Sequence, residues 1–116
     1  MPKKYIIVRI QSEGLHCWPE AHEHFKEVGF LSSTHRHIFH IEVKKEVTHN
    51  DRDIEIIMFK RRIEDFLNLT FYDTKLSTLQ FGRMSCEDIA ELLCTHFKCS
   101  SVTVLEDNEN GAVYEQ

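Results

Sequence analysis

The chain has 116 residues, of which 41% are hydrophobic and 28% charged, a composition typical of one globular domain. Its formal net charge of -5 disfavours a nucleic acid as partner, because phosphate neutralisation needs a basic surface. No apolar run approaches the roughly 18 residues of a membrane span, and Tyr5–Val8 is too short for a signal peptide. We therefore expect one domain over residues 1–116, cytoplasmic, with neither nucleic acid nor membrane as partner.

The first half of the chain predicts two strands. Tyr5–Gln11 forms the first, which ends at the turn-forming residues Ser12–Gly14. Residues 13–30 are polar, irregular and rich in histidine. From Ile38 to Val47 hydrophobic and charged residues alternate, as in a strand with one buried face.

Two amphipathic helices are predicted next. Hydrophobic residues recur at steps of three and four from Asp53 to Leu67, which indicates a helix with one apolar stripe. Residues 68–84 read as a loop. Ser85 and Asp88 then resemble a capping box, the start signal of a second helix.

The C-terminal segment predicts a hairpin. Strands Val102–Leu105 and Ala112–Tyr114 flank the turn-forming run Asp107–Gly111. The predicted order is therefore strand, strand, helix, helix, strand, strand. This order indicates an α+β fold, an antiparallel sheet of two hairpins with two helices packed on one face.

Histidine is concentrated in one stretch, because six of the eight histidines fall between residues 16 and 40. His35 and His37 are two apart at the start of a strand, so their side chains share the face that continues into the buried positions. His16 follows the first strand, where a hairpin partner would lie close. A His-x-His pair alone is common on surfaces, but three imidazoles with a fourth position open form a catalytic type of zinc site.

Five stretches, in order along the whole chain, resemble the 6-pyruvoyl-tetrahydropterin synthase and 6-carboxy-tetrahydropterin synthase family. Glu13–Pro19 is similar to the family's first metal-histidine segment, and His35–His37 to its His-Gly-His. Asp51–Lys60 resembles the segment entering the first helix, and Ser85–Asp88 the Thr-Ser-Glu-Asn that starts the second. The family's C-terminal Glu, Asn and Tyr have counterparts in Glu106, Asn110 and Tyr114.

The resemblance implies a T-fold, with several subunits closing into an oligomeric barrel and active sites at the interfaces. It implies zinc bound by His16, His35 and His37. It also implies that Glu106 anchors the guanidine-like edge of a pterin through paired hydrogen bonds. Ser85 and Cys86 would lie against the same ring.

The chain departs from the family's pattern at its proton-transfer residues. Val28–Thr34 has no cysteine where the family has one before His-Gly-His, and the family's Leu-Asp-His corresponds to Tyr72-Asp73-Thr74. A threonine hydroxyl cannot shuttle protons near neutral pH as an imidazole does. Asp73 and Cys17 are therefore the candidate catalytic residues, with His22 or His24 as possible substitutes.

Three functions remain open on the sequence. The first is a binding protein for a pterin- or purine-like heterocycle, such as a nucleotide. The second is a divergent zinc-dependent lyase or synthase acting on a substrate like dihydroneopterin triphosphate. The third is a non-catalytic homo-oligomer that sequesters nucleotides or is purely structural. Phosphate recognition would help to separate them, and its candidate residues are Arg36, Lys60, Arg61 and Arg62.

Overall fold

Six strands and three α-helices make up the computed structural model, which describes residues 1–116. The strands are β1 (Lys4–His16), β2 (His35–Val47), β3 (Tyr72–Asp73), β4 (Thr78–Gln80), β5 (Ser101–Glu106) and β6 (Asn110–Glu115). The helices are α1 (Ala21–His24), α2 (Ile56–Phe71) and α3 (Cys86–Phe97), and a 3₁₀ segment spans Lys26–Ser32. The predicted α+β class is confirmed.

All six strands belong to one sheet, in the order β3-β4-β1-β2-β5-β6. The pairings β1–β2, β2–β5 and β5–β6 are antiparallel, as predicted. The sheet is nevertheless mixed, because β4 pairs in parallel with β1 at Gly14 and Leu15. A parallel pair needs a crossover connection, and here the chain runs through α2 before it reaches β4.

The first hairpin is longer than its sequence pattern predicts. β1 continues through Ser12–Gly14 to His16, and β2 begins at His35. Gly14 serves close packing rather than a turn. A Cβ added there would lie 2.6 Å from a ring carbon of Phe81 and 3.1 Å from the ring of Phe39.

The helices α2 and α3 each bury one stripe of side chains at four-residue spacing in a shared core. These residues are Phe59, Ile63 and Leu67 of α2, and Ile89, Leu93 and Phe97 of α3. The predicted capping box is confirmed, since Ser85 and Asp88 each accept a hydrogen bond from the other's backbone N–H. No helix combines the length and the apolar character needed to cross a membrane.

Two segments predicted to be irregular contain short elements. Residues 13–30 include the end of β1, all of α1 and part of the 3₁₀ segment, and residues 68–84 include the last turn of α2 and the β3–β4 hairpin. Strands of two and three residues are too short to show a period of two. Their pairing depends on the neighbouring β1, which the local pattern does not report.

Three adjacent strands place polar side chains at one end of the helix-covered face. His16 is directly opposite His35, and Gly14 is opposite His37. One strand further along the sheet, Glu106 is opposite Phe39. Since side chains on one face recur every second residue, these positions all lie on the side of the sheet that carries the core.

Candidate metal centre

The three predicted histidines converge. His16, His35 and His37 each offer one ring nitrogen, and the three nitrogens lie within 4.8 Å of one another. His16 is buried, and the other two are half-buried. This group could hold a metal ion, as the sequence predicts, and it forms where the β1–β2 register brings its residues onto one face.

Hydrogen bonds fix the ring orientation and the tautomer of each histidine. The Nδ1 atoms of His16, His35 and His37 lie 2.9 Å from the Met84 carbonyl, 2.8 Å from the Ser33 carbonyl and 2.7 Å from the Asp107 carboxylate, respectively. All three partners are acceptors only, so each Nδ1 donates its hydrogen. A neutral imidazole then carries its lone pair on Nε2, the atom that binds a metal.

The Nε2 atoms of His16 and His37 are buried and make no hydrogen bond. Leaving a buried acceptor unsatisfied costs about 1–3 kcal/mol, so the arrangement is favourable when something binds these lone pairs. Imidazole nitrogens suit zinc, copper, iron and nickel. The donor set therefore fits a transition-metal ion.

Glu106 is the carboxylate nearest to this centre. Its Oε2 lies 3.0 Å from Nε2 of His16, and its Oε1 lies 3.5 Å from Nε2 of His37. The close contact with the His16 ring lowers the pKa of Glu106 despite its partial burial, and the nearby His37 ring acts in the same direction. Burial alone would lower the pKa of His16, but its contacts with Glu106 and Met84 outweigh burial and raise the pKa.

Cys86, the first residue of α3, completes this group. Its thiol lies 3.6 Å from Oε2 of Glu106 and donates to it. Burial and the adjacent negative charge of Glu106 raise the pKa of Cys86 to about 12. The thiol therefore stays protonated at neutral pH, as a weak donor rather than a nucleophile.

A cleft of about 390 Å³ opens beside the histidines. Six of the predicted site residues line it: His16, Cys17, His35, Ser85, Cys86 and Glu106. Trp18 and Leu31 add apolar surface. The cleft thus combines a possible metal centre, the carboxylates of Glu87 and Glu106 and an apolar wall, a combination suited to a small-molecule ligand.

Three predicted site residues do not line this cleft: His37, which belongs to the adjacent histidine cluster, and Arg36 and Asp73, which lie elsewhere. Arg36 is exposed and its guanidinium lies 2.5 Å from the Glu13 carboxylate. The Asp73 carboxylate accepts hydrogen bonds from the backbone N–H groups of Lys75 and Leu76, so it stabilises the turn between β3 and β4. Neither side chain reaches the three histidines of its own chain.

The substitute histidines and the basic residues of α2 are also placed elsewhere. The ring of His22 packs against Gly29, and His24 stacks on Trp18 with ring centres 5.4 Å apart. Lys60, Arg61 and Arg62 do not line the cleft. The rings of His22 and His24 therefore have structural neighbours that account for them.

Arg83 and Trp18 are two cleft residues that the sequence prediction missed. Arg83 is the one arginine or lysine in the cleft wall, and it pairs with Glu20. Isolated residues of this kind carry no spacing signal.

A search of protein-family models finds no match to the chain, and a search of curated proteins finds no similar sequence.

We predict that the purified protein binds about one zinc ion per chain, through the three Nε2 atoms. His35→Ala and His37→Ala should each abolish stoichiometric binding, measured by elemental analysis after dialysis against zinc. His40→Ala is the matched control, because this neighbouring strand residue is not part of the cluster and should leave the stoichiometry unchanged. A wild-type protein that takes up no metal would contradict the assignment.

Asp107→Asn tests whether the Asp107 carboxylate strengthens metal binding through its hydrogen bond with His37. The variant keeps an oxygen for the backbone N–H of Ile38, but its amide can present a donor to the Nδ1 hydrogen of His37. We expect zinc affinity to fall by about 10- to 100-fold, the usual effect of losing such a partner. Competition with a chromogenic chelator measures it. Glu13→Gln, which removes an exposed carboxylate bound to Arg36, should have no effect.

Proposed function

We propose that this protein is a divergent T-fold member of the 6-pyruvoyl- and 6-carboxy-tetrahydropterin synthase family. It binds a pterin- or purine-like heterocycle, such as a nucleotide, beside a zinc ion held by three histidines. One observation carries the proposal: the Glu106 carboxylate stands in the wall of a cleft, next to the convergent nitrogens of His16 and His37.

The arrangement of the long elements supports the T-fold part of the proposal. The hairpins β1–β2 and β5–β6 form a continuous antiparallel sheet, and α2 and α3 contribute to the core on one of its faces. This is the order and layering that the resemblance implies. Fold alone does not fix function, so the heterocycle has to be argued from the cleft.

Recognition of the heterocycle rests on charge and shape. With its pKa lowered, Glu106 is ionised at neutral pH and can accept two N–H groups from a guanidine-like ring edge. Trp18 and Leu31 offer apolar contact to the ring. The cleft volume of about 390 Å³ lies within the usual range of small-molecule sites, about 300–1,000 Å³.

Zinc at the three histidines would supply Lewis-acid polarisation of ligand oxygens. Proton transfer is the weaker part of the site. Cys86 is held protonated, and Asp73 is committed to a turn outside the cleft of its own chain. These positions support a binding protein more than an enzyme.

An active zinc-dependent synthase is the second candidate, and Cys17 is the observation that favours it. This thiol is half-buried and lines the cleft next to the metal ligand His16. A base-like or nucleophilic cysteine in this wall could replace the one missing from Val28–Thr34. Turnover of dihydroneopterin triphosphate that is lost in Cys17→Ser, with ligand affinity retained, would establish the enzyme.

Assembly into a ring is part of the proposal and rests on the two free sheet edges. β6 pairs with β5 alone, and residues 4–12 of β1 pair with β2 alone. Unpaired edges readily accept another strand, and a closed ring of subunits removes them. The resemblance implies that such closure places the binding sites at interfaces between subunits.

We therefore predict a homo-oligomer whose chain number is a multiple of two or three. Light scattering coupled to size-exclusion chromatography at micromolar concentration measures the mass. The expected result is one species well above the mass of a single chain, 13.7 kDa. A stable monomer would remove the inter-subunit part of the proposal while leaving the cleft of each chain intact.

Glu106→Gln tests heterocycle binding. In metal-free protein we expect guanosine and dihydroneopterin to bind roughly 2–4 kcal/mol more weakly to the variant, because a donor replaces one acceptor of a charge-assisted pair. Calorimetry measures affinity, and fluorescence of Trp18, the only tryptophan, reports on the cleft. Glu87→Gln, an exposed carboxylate of the same cleft, is the control and should bind normally. Wild-type protein that binds no pterin or purine nucleotide would refute the proposal.

A further inference from the structure

Glu106 faces the side of the histidines that a metal ion would occupy. Its two oxygens lie 3.0 Å and 3.5 Å from the Nε2 atoms of His16 and His37. In a tetrahedral zinc site with bonds of about 2.0–2.2 Å, two ligand atoms lie about 3.4 Å apart. The observed separations bracket this value, so the carboxylate is at ligand distance from two of the three histidines.

The contact between Glu106 and the two imidazole rings is favourable when a cation is bound between them. Because Nδ1 of each histidine donates its hydrogen elsewhere, a neutral ring presents a lone pair to the carboxylate oxygens, which carry lone pairs only. Neither Nε2 atom makes a hydrogen bond. Two lone pairs facing each other at 3.0 Å repel, whereas a cation bound by both groups makes the contact favourable.

A metal ion explains more of the geometry than a proton does. A proton on Nε2 of His16 would bridge a single ring to Glu106 and would leave His35 without a role. All three histidines converge, and all three hold Nδ1 in the donor state. A fourth, anionic ligand would complete the tetrahedral set that three imidazoles leave open.

We propose that Glu106 is the fourth ligand of the metal centre while the cleft is empty, and that a bound heterocycle takes Glu106 away from the metal. The second half rests on the proposed function. Paired hydrogen bonds to a guanidine-like edge use both carboxylate oxygens, and the same two oxygens are the ones directed at His16 and His37. One carboxylate cannot serve both partners fully.

This exchange links ligand binding to the state of the metal. When Glu106 turns to the heterocycle, one coordination position opens beside the bound ligand. For a heterocycle that does not itself bind the metal, bound heterocycle weakens metal binding. Bound metal weakens heterocycle binding by the same factor, as linkage requires. Cys86 lies where it can stabilise the released carboxylate, because its thiol already donates to Oε2.

Cobalt(II) binding tests whether Glu106 is the fourth metal ligand, without any activity assay. Protein stripped of metal by a chelator is titrated with Co²⁺, and visible absorption gives both affinity and coordination. We expect Glu106→Gln and Glu106→Ala to bind Co²⁺ at least about tenfold more weakly than wild type, with a changed spectrum. Glu13→Gln, which removes an exposed carboxylate outside the cleft, should match wild type, and circular dichroism checks that each variant is folded.

Unchanged Co²⁺ affinity and spectrum in folded Glu106→Gln or Glu106→Ala would overturn the fourth-ligand role and leave a proton-mediated contact instead. Wild-type protein that binds no Co²⁺ would overturn it together with the metal centre.

Unsubstituted pterin tests whether a bound heterocycle takes Glu106 away from the metal. It lacks the oxygen-bearing side chain through which a substituted pterin could bind the metal. Added to Co²⁺-loaded wild type, it should shift the spectrum towards that of Glu106→Ala, and its affinity should be weaker than for metal-free protein. Pterin binding reported by Trp18 fluorescence without a spectral shift would overturn the exchange. If pterin does not bind even metal-free protein, the exchange and the heterocycle proposal fail, while the cobalt comparison still decides whether Glu106 is a ligand.

Discussion

The register between β1 and β2 determines both the core and the candidate metal centre. Thirteen residues of each strand pair, and this ladder sets His16 opposite His35 and Gly14 opposite His37. Because side chains alternate between faces, a slip of one residue between the strands would put His16 on the opposite face of the sheet from His35, His37 and the buried residue Phe39. Burial of the apolar residues therefore also holds the histidines on one face. The energy that specifies the site comes largely from the hydrophobic core.

Segments distant in sequence supply the oxygen atoms that orient the histidines. Met84 precedes α3, Ser33 follows the 3₁₀ segment, and Asp107 follows β5. A metal ion bound at this centre would thus join these segments to the end of the β1–β2 hairpin. Since such a site does not exist in the unfolded chain, metal binding would also stabilise the fold.

Electrostatic interactions and burial determine the charge states of two adjacent cleft residues. Glu106 is held ionised and Cys86 is held neutral, so the pair presents one strong acceptor and a weak donor. Under the proposed function, this pair would recognise a ring with adjacent N–H groups. Chemistry would require a group that moves protons near neutral pH, and Cys17 is the remaining thiol in the wall.

Local patterns in the sequence determined the α+β class, the two long helices, the capping box at Ser85 and the shared face of His35 and His37. Each of these depends on residues a few positions apart, where periodicity and capping act directly. Only the tertiary structure decided what lies next to the histidines. Backbone carbonyls such as that of Met84 have no sequence signature, and the position of Asp73 in a turn follows from strand pairing. Gly14 lies within a strand despite its turn-forming sequence, because aromatic rings from other strands and loops pack against it. Its role therefore depends on contacts between distant parts of the chain.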